Sequence, residues 1–112
     1  MEPPNCWISK VYTLKIKIHE LAAKEFDEAI EWYGIQSKGL GTRFKKTVVG
    51  QLKKVKQNPH WFLKETETVY KAYIPKFPYK ILFTVDIDQI VVWAVAHMHR
   101  KPWYWQSRTM NQ

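Results

Sequence analysis

The chain has 112 residues, enough for one compact domain around a single core and too short for two. Hydrophobic residues make up 46% and charged residues 25%, which excludes an intrinsically disordered chain. Eighteen Lys and Arg against ten Asp and Glu give a net charge of +8, a balance that favours an acidic partner: nucleic acid, an anionic membrane surface or an acidic protein segment.

The opening Met1-Glu2-Pro3-Pro4-Asn5 has two prolines and an acid where an export signal needs a basic and then an apolar stretch. Cys6, the one cysteine, has no partner for an internal disulfide and fits a reducing cytoplasm. From Val11 to Ile18 the chain alternates. Tyr12, Leu14, Ile16 and Ile18 share one face and Thr13, Lys15 and Lys17 the other, the pattern of a half-buried strand.

At Glu20 the period changes to helical, with Ala22, Phe26, Ala29, Ile30 and Tyr33 on one side and Gly34 or Gly39 available to end the helix. A second helix spans about Leu40 to Gln57, with Leu40, Phe44, Val48, Leu52 and Val55 as its apolar stripe, and Asn58-Pro59 stops it. The short link between them makes the helices antiparallel neighbours. Their charges are opposite: five acids and one Lys from Glu20 to Tyr33, six bases and no acid from Arg43 to Lys56. Complementary solvated faces account for this, and a polyanion-binding second helix is the alternative.

A loop from His60 to Thr68 leads into three strand-like segments, Val69–Ile74, Tyr79–Val85 and Gln89–His97. Pro75 and Pro78 bracket the first turn and Asp86-Ile87-Asp88 makes the second, so the three form an antiparallel meander. The last strand is apolar on both faces, with Ile90, Val92 and Ala94 on one and Val91, Trp93 and Val95 on the other, which places it inside the sheet. The expected order is second, third, fourth, first. The fold class is α+β, β-α-α-β-β-β, with a helix hairpin on one face of a small antiparallel-type sheet. Residues 1–112 form one domain, with 1–10 and 106–112 as tails. The longest apolar run, Ile90 to Ala96, is far below the roughly 20 residues of a membrane-spanning helix.

His97 and His99 share a strand face, but no third ligand stands near them, so a polar role outweighs a metal site. No nucleophile elbow or phosphate loop is present, and Gly39-Leu40-Gly41 reads as a turn and helix start. What remains is a cluster at the sheet's end: His97, His99, Arg100 and Lys101 leave the last strand, and Lys71, Lys76 and Lys80 belong to its neighbours. Metal-free phosphodiester cleavage needs a base, an acid and cations on the phosphate. Such a cluster holds those residue types, as Tyr79 also does, but serves equally as a polyanion surface or as solvated charge. Trp103-Tyr104-Trp105 behind Pro102 either stacks on unpaired bases or folds back over the outward face of Trp93 and Val95, the packing role being favoured. An apolar groove left on that face would take a partner peptide.

At these residues the chain resembles the RelE/ParE superfamily, the toxins of type II toxin–antitoxin pairs. The resemblance runs from about Tyr12 to Trp105. It rests on Glu20-Leu21-Ala22, Gly39-Leu40-Gly41-Thr42-Arg43-Phe44, Asn58-Pro59, Phe77-Pro78-Tyr79-Lys80-Ile81, and Ala94 to Pro102 with a Trp behind. It is similar to the ParE, or plasmid-stabilisation, branch, which implies inhibition of DNA gyrase without a nuclease centre. RelE-type relatives instead cut messenger RNA on the ribosome. Lys71 stands where ParE-like members commonly have Arg, keeping the charge and losing the bidentate fork. His97 matches the family's histidine, and His99 keeps the nuclease alternative open. The resemblance implies an antitoxin partner, with Trp93, Trp103 and Trp105 as antitoxin or target contacts. It implies Lys71, Lys76, Tyr79, Lys80, Arg100 and Lys101 as target or polyanion contacts, His97 and His99 as catalytic only in a nuclease, and no cofactor or metal.

Overall fold

The computed structural model describes residues 15–100 and 103–110. Strand β1 (Lys15–Ile18) leads into helices α1 (Glu20–Gln36) and α2 (Leu40–Gln57). A 3-10 turn (Pro59–Trp61) and strand β2 (Leu63–Lys64) precede the meander β3 (Tyr70–Tyr73), β4 (Tyr79–Val85) and β5 (Gln89–His97), and a short helix α3 (Gln106–Met110) follows. The five strands form one sheet in the order β1-β5-β4-β3-β2. The four strands expected from the sequence are in the expected order, and the two-residue β2 extends the edge beside β3. The sheet is mixed: the meander is antiparallel, and β1 joins β5 in parallel, Ile16 opposite Ile90. Residues 11–14 of the expected first strand lie outside the described residues.

His19 caps α1, its Nδ1 accepting from the Leu21 N–H at 3.1 Å. Gly34 does not end the helix, which continues to Gln36. Gly34 instead faces Gly41 of α2, where a Cβ would stand 2.5 Å from the Ile30 carbonyl oxygen and 3.1 Å from the Gly34 nitrogen. The missing side chain of Gly41 lets the two backbones approach closely. The hairpin lays Ala22, Ala29, Tyr33, Phe44, Val48 and Val55 over one sheet face, against Ala72, Ile81, Phe83, Ile90, Val92 and Val95. The opposite charges of the helices do not meet: among the described residues no ion pair joins α1 to α2.

A β-bulge corrects the reading of the last strand. Leu82 pairs with Ala94 and Phe83 with Val92, leaving Trp93 as an extra residue. The alternation shifts there by one. Val95, expected on the outward face with Trp93, turns to the helices, and Ala94 turns away from them, packing with Val69, Leu82, Ala96 and Trp105. Residues 106–110, expected as a tail, form a helical turn whose Arg108 is tied into the fold. Residues 1–10 lie outside the described residues.

Candidate functional site

The expected cluster gathers where β3 and β5 end and β4 begins, with side chains leaving on both faces of the sheet. Tyr79 pairs with His97 and Lys80 with Ala96, so successive side chains leave on opposite faces. On the helix side the Tyr79 and His97 rings meet edge-on at 5.1 Å, and Tyr79 also contacts Phe44 and Tyr33. Burial raises the phenol pKa of Tyr79 above its ordinary value, and the negative charge of Glu25 adds to that. After β5 the chain turns sharply: the Met98 N–H reaches the Pro78 carbonyl and the Arg100 N–H the His97 carbonyl. Within that turn the His99 N–H donates to His97 Nδ1 at 3.1 Å and the two rings stand 5.2 Å apart. The bond leaves Nε2 as the nitrogen of His97 that carries the proton in the neutral ring.

On the outer face Lys71 and Lys80 converge on one carboxylate, Glu65. Lys80 Nζ lies 3.1 Å and 3.2 Å from its two oxygens, and Lys71 Nζ lies 3.5 Å from one of them. Glu65 is held by a tight loop, its N–H donating to the Val69 carbonyl at 2.7 Å while Thr66 Oγ1 accepts from the Val69 N–H. Burial works to lower the Lys71 pKa, and its interactions with Tyr73 and Glu65 outweigh that and raise it. The two lysines thus have an internal counter-ion. The sequence reading missed Glu65 because it lies in a segment read as an open loop, with nothing in the local pattern pointing at β3 and β4.

Glu65, Lys80, His97, Arg100, Tyr104 and Trp105 are among the residues lining a cleft of about 190 Å3. Arg100 lies over the Tyr104 ring at 4.1 Å and Arg108 at 5.0 Å. The Tyr104 hydroxyl is buried without a hydrogen-bond partner among the described residues. Burial pushes its pKa well above the usual phenol value, with the Glu25 carboxylate adding to the effect.

The remaining candidates separate. Lys76 sits exposed at the β3–β4 turn with a left-handed backbone (φ 69°) and joins no ion pair among the described residues. Lys101 lies outside the described residues. Trp93 is buried at the bulge, its Nε1 donating to Thr84 Oγ1 at 2.9 Å. Trp105 is buried in the outer core, whereas Trp103 is 54% exposed. No group of three or more His, Cys, Asp or Glu is placed to hold a metal among the described residues, and no helix there is long and apolar enough to cross a membrane.

No family model matches the sequence, and the search of curated proteins finds no match. Among solved structures, a chain of one described as the chromosomal ParDE TA system from P. aeruginosa superposes with a TM-score of 0.66 and 17% identity. The match covers 79% of this chain and 99% of that one. With its two long helices packed on an open five-stranded sheet, the chain has the ParE/RelE-like fold.

Proposed function

We propose that the chain is the toxin of a type II toxin–antitoxin pair of the ParE, plasmid-stabilisation kind, acting in the bacterial cytoplasm. In this reading it inhibits DNA gyrase by binding it and is neutralised by a cognate antitoxin. The observation that carries the reading is the likeness of fold to a chain of a ParDE system across 99% of that chain.

The pairing of the cluster's lysines with Glu65 favours binding over phosphodiester chemistry. Cleavage needs acid, base and cations around one phosphate. Here His97 and Lys80 line one cleft with Arg100, but Lys71 and Lys80 are already held by Glu65, and the Tyr79 ring lies on the helix side of the sheet. Exposed apolar side chains suit a protein partner: Trp103 ahead of α3 for the target, and Leu21, Trp32 and Ile35 along α1 for the antitoxin.

One observation favours a second reading, a metal-independent, ribosome-dependent mRNA endoribonuclease: the contact of His97 with His99 and Tyr79 gathers three proton-carrying groups at the sheet end. Pulse-labelling after brief induction of the chain in bacteria decides between them. Early loss of thymidine incorporation with methionine incorporation intact is the expected result. Early loss of protein synthesis, abolished by the double variant His97→Ala/His99→Ala, would establish the nuclease instead.

A further inference from the structure

Helix α2 carries Arg43, Lys45, Lys46, Lys53, Lys54 and Lys56 and no acid. At about 100° per residue, Arg43, Lys46, Lys53 and Lys54 fall within a strip about 100° wide, opposite the buried Phe44, Val48 and Val55. All four are exposed, and Gly50 and Gln57 complete the strip. Among the described residues none of these cations has an ion-pair partner, because the acids of the three ion pairs are Glu65 and Glu25. Lys71, Lys80 and Arg108 are neutralised within the fold; the α2 strip is not.

The strip also has a seat at one end. Gly39, Thr42, Arg43, Lys46 and Thr47 line an open recess of about 430 Å3 at the first turn of α2. Gly39 supplies no side chain to cap the helix there, so the positive end of the helix dipole and two cations face the same recess.

We propose that this strip is a contact surface for the backbone of double-stranded DNA, binding without sequence preference. A peptide partner needs apolar anchors to bury, and the strip has none. Single strands are held by bases stacked on aromatic side chains, and no aromatic lies on it. An α-helix about 10–12 Å across enters the roughly 12 Å major groove of B-form DNA, whereas the narrow major groove of A-form RNA does not admit side chains. From Arg43 to Lys54 the helix rises about 16 Å, along which a duplex presents about nine phosphate charges. The inference stands apart from the choice of target, since it concerns binding by the isolated chain and not toxicity.

The test is fluorescence anisotropy of a labelled duplex DNA of about two helical turns, titrated with the full chain across a salt series. Four phosphate contacts predict a slope of log K against log salt near about −3.6, or roughly a hundredfold loss between 50 and 200 mM. The triple variant Arg43→Gln/Lys46→Gln/Lys53→Gln is expected to bring the slope close to about −1. The triple variant Lys15→Gln/Lys17→Gln/Lys24→Gln removes the same charge from exposed sites off the strip and is expected to keep most of the binding. Thermal unfolding of all three proteins confirms that they are folded. Equal loss in the two triple variants would reduce the effect to net charge and overturn the proposal. So would the absence of duplex binding at low salt, or strip-dependent binding to duplex RNA, a single strand or an acidic peptide in preference to duplex DNA.

Discussion

Arg108 and Glu25, 83 positions apart, meet fork to fork: Nη1–Oε1 is 3.0 Å and Nη2–Oε2 is 2.9 Å. The same two side chains close the edge of β5 where β1 stops. Strand β1 last pairs at Ile18 with Val92, so among the described residues no strand faces the backbone on that side beyond the bulge. There the Val95 N–H donates to Glu25 Oε1 at 3.0 Å and the Trp93 carbonyl accepts from Arg108 Nη1 at 2.9 Å. The ion pair therefore ties α1, the bulge and α3 into one unit.

Removing either partner leaves a charge and a backbone group unpaired in a site where the side chains are only 9% and 13% exposed. Glu25→Ala and Arg108→Ala are each expected to cost about 3–5 kcal/mol in urea unfolding. Arg108→Lys rescues little, because an ammonium cannot reproduce the planar fork. Losses below about 1 kcal/mol in both single variants would place the pair among ordinary surface ion pairs.

Three tyrosines link stability to alkaline pH. Tyr33, Tyr79 and Tyr104 have folded-state pKa values above the ordinary 10.0, burial being the largest cause in each. Above pH 10 the unfolded chain loses phenol protons that the folded chain keeps. Stability is therefore full below that pH and falls as pH rises past it. Tyr104→Phe is expected to flatten the decline. At neutral pH it should leave stability unchanged or raise it by up to about 1 kcal/mol, because the hydroxyl it removes has no hydrogen-bond partner among the described residues. Denaturation curves at pH 8 and above pH 10 measure both effects; an equally steep alkaline fall in the variant would remove Tyr104 from the explanation.

Two glycines of α2 predict opposite outcomes for the same substitution. A Cβ at Gly41 would collide with the Ile30 carbonyl oxygen at 2.5 Å, which is backbone and cannot swing away. Gly41→Ala should cost about 1–3 kcal/mol or more as the helices are forced apart. A Cβ at Gly50 would meet nothing within 4 Å among the described residues outside its own helix turn, so Gly50→Ala should add up to about 1 kcal/mol through helix propensity. Thermal unfolding of the two variants side by side is the measurement, and the same sign in both would contradict the close approach of α1 and α2.

Helix stripes and strand alternation are local signals, and they located both long helices, the meander and the apolar last strand. The bulge left no such signal. Ile90 to Ala96 is apolar throughout, so moving Trp93 out of register changes neither face's polarity, and Val95 could be read on the wrong side. The site was legible in composition and not in arrangement. Its basic residues and histidines stand in the sequence, but Tyr79 and Lys80 are adjacent and therefore opposed across the sheet. The acid that binds Lys71 and Lys80 comes from a loop whose geometry depends on backbone bonds between Glu65, Thr66 and Val69. Arg108 was hidden for a related reason: its partners lie on α1 and β5, and nothing near it in sequence announces them.

The two tail tryptophans separate stability from surface. Trp105 is 3% exposed and packs with Val69, Leu82, Ala94 and Ala96 over the outer sheet face. Trp105→Ala should cost about 3–5 kcal/mol, and cutting the chain after Pro102 should also unfold it, since that removes Trp105 together with Arg108. Trp103 is 54% exposed with a left-handed backbone, φ 70°; Trp103→Gly relieves that conformation and should change stability by less than about 1 kcal/mol. If Trp103 contacts the proposed target, the glycine variant stays folded and loses growth inhibition, whereas a truncation loses both and says nothing about contact. Near-UV circular dichroism and a growth assay on the same preparations separate the cases, and full toxicity in a folded Trp103→Gly chain would remove Trp103 from the contact surface.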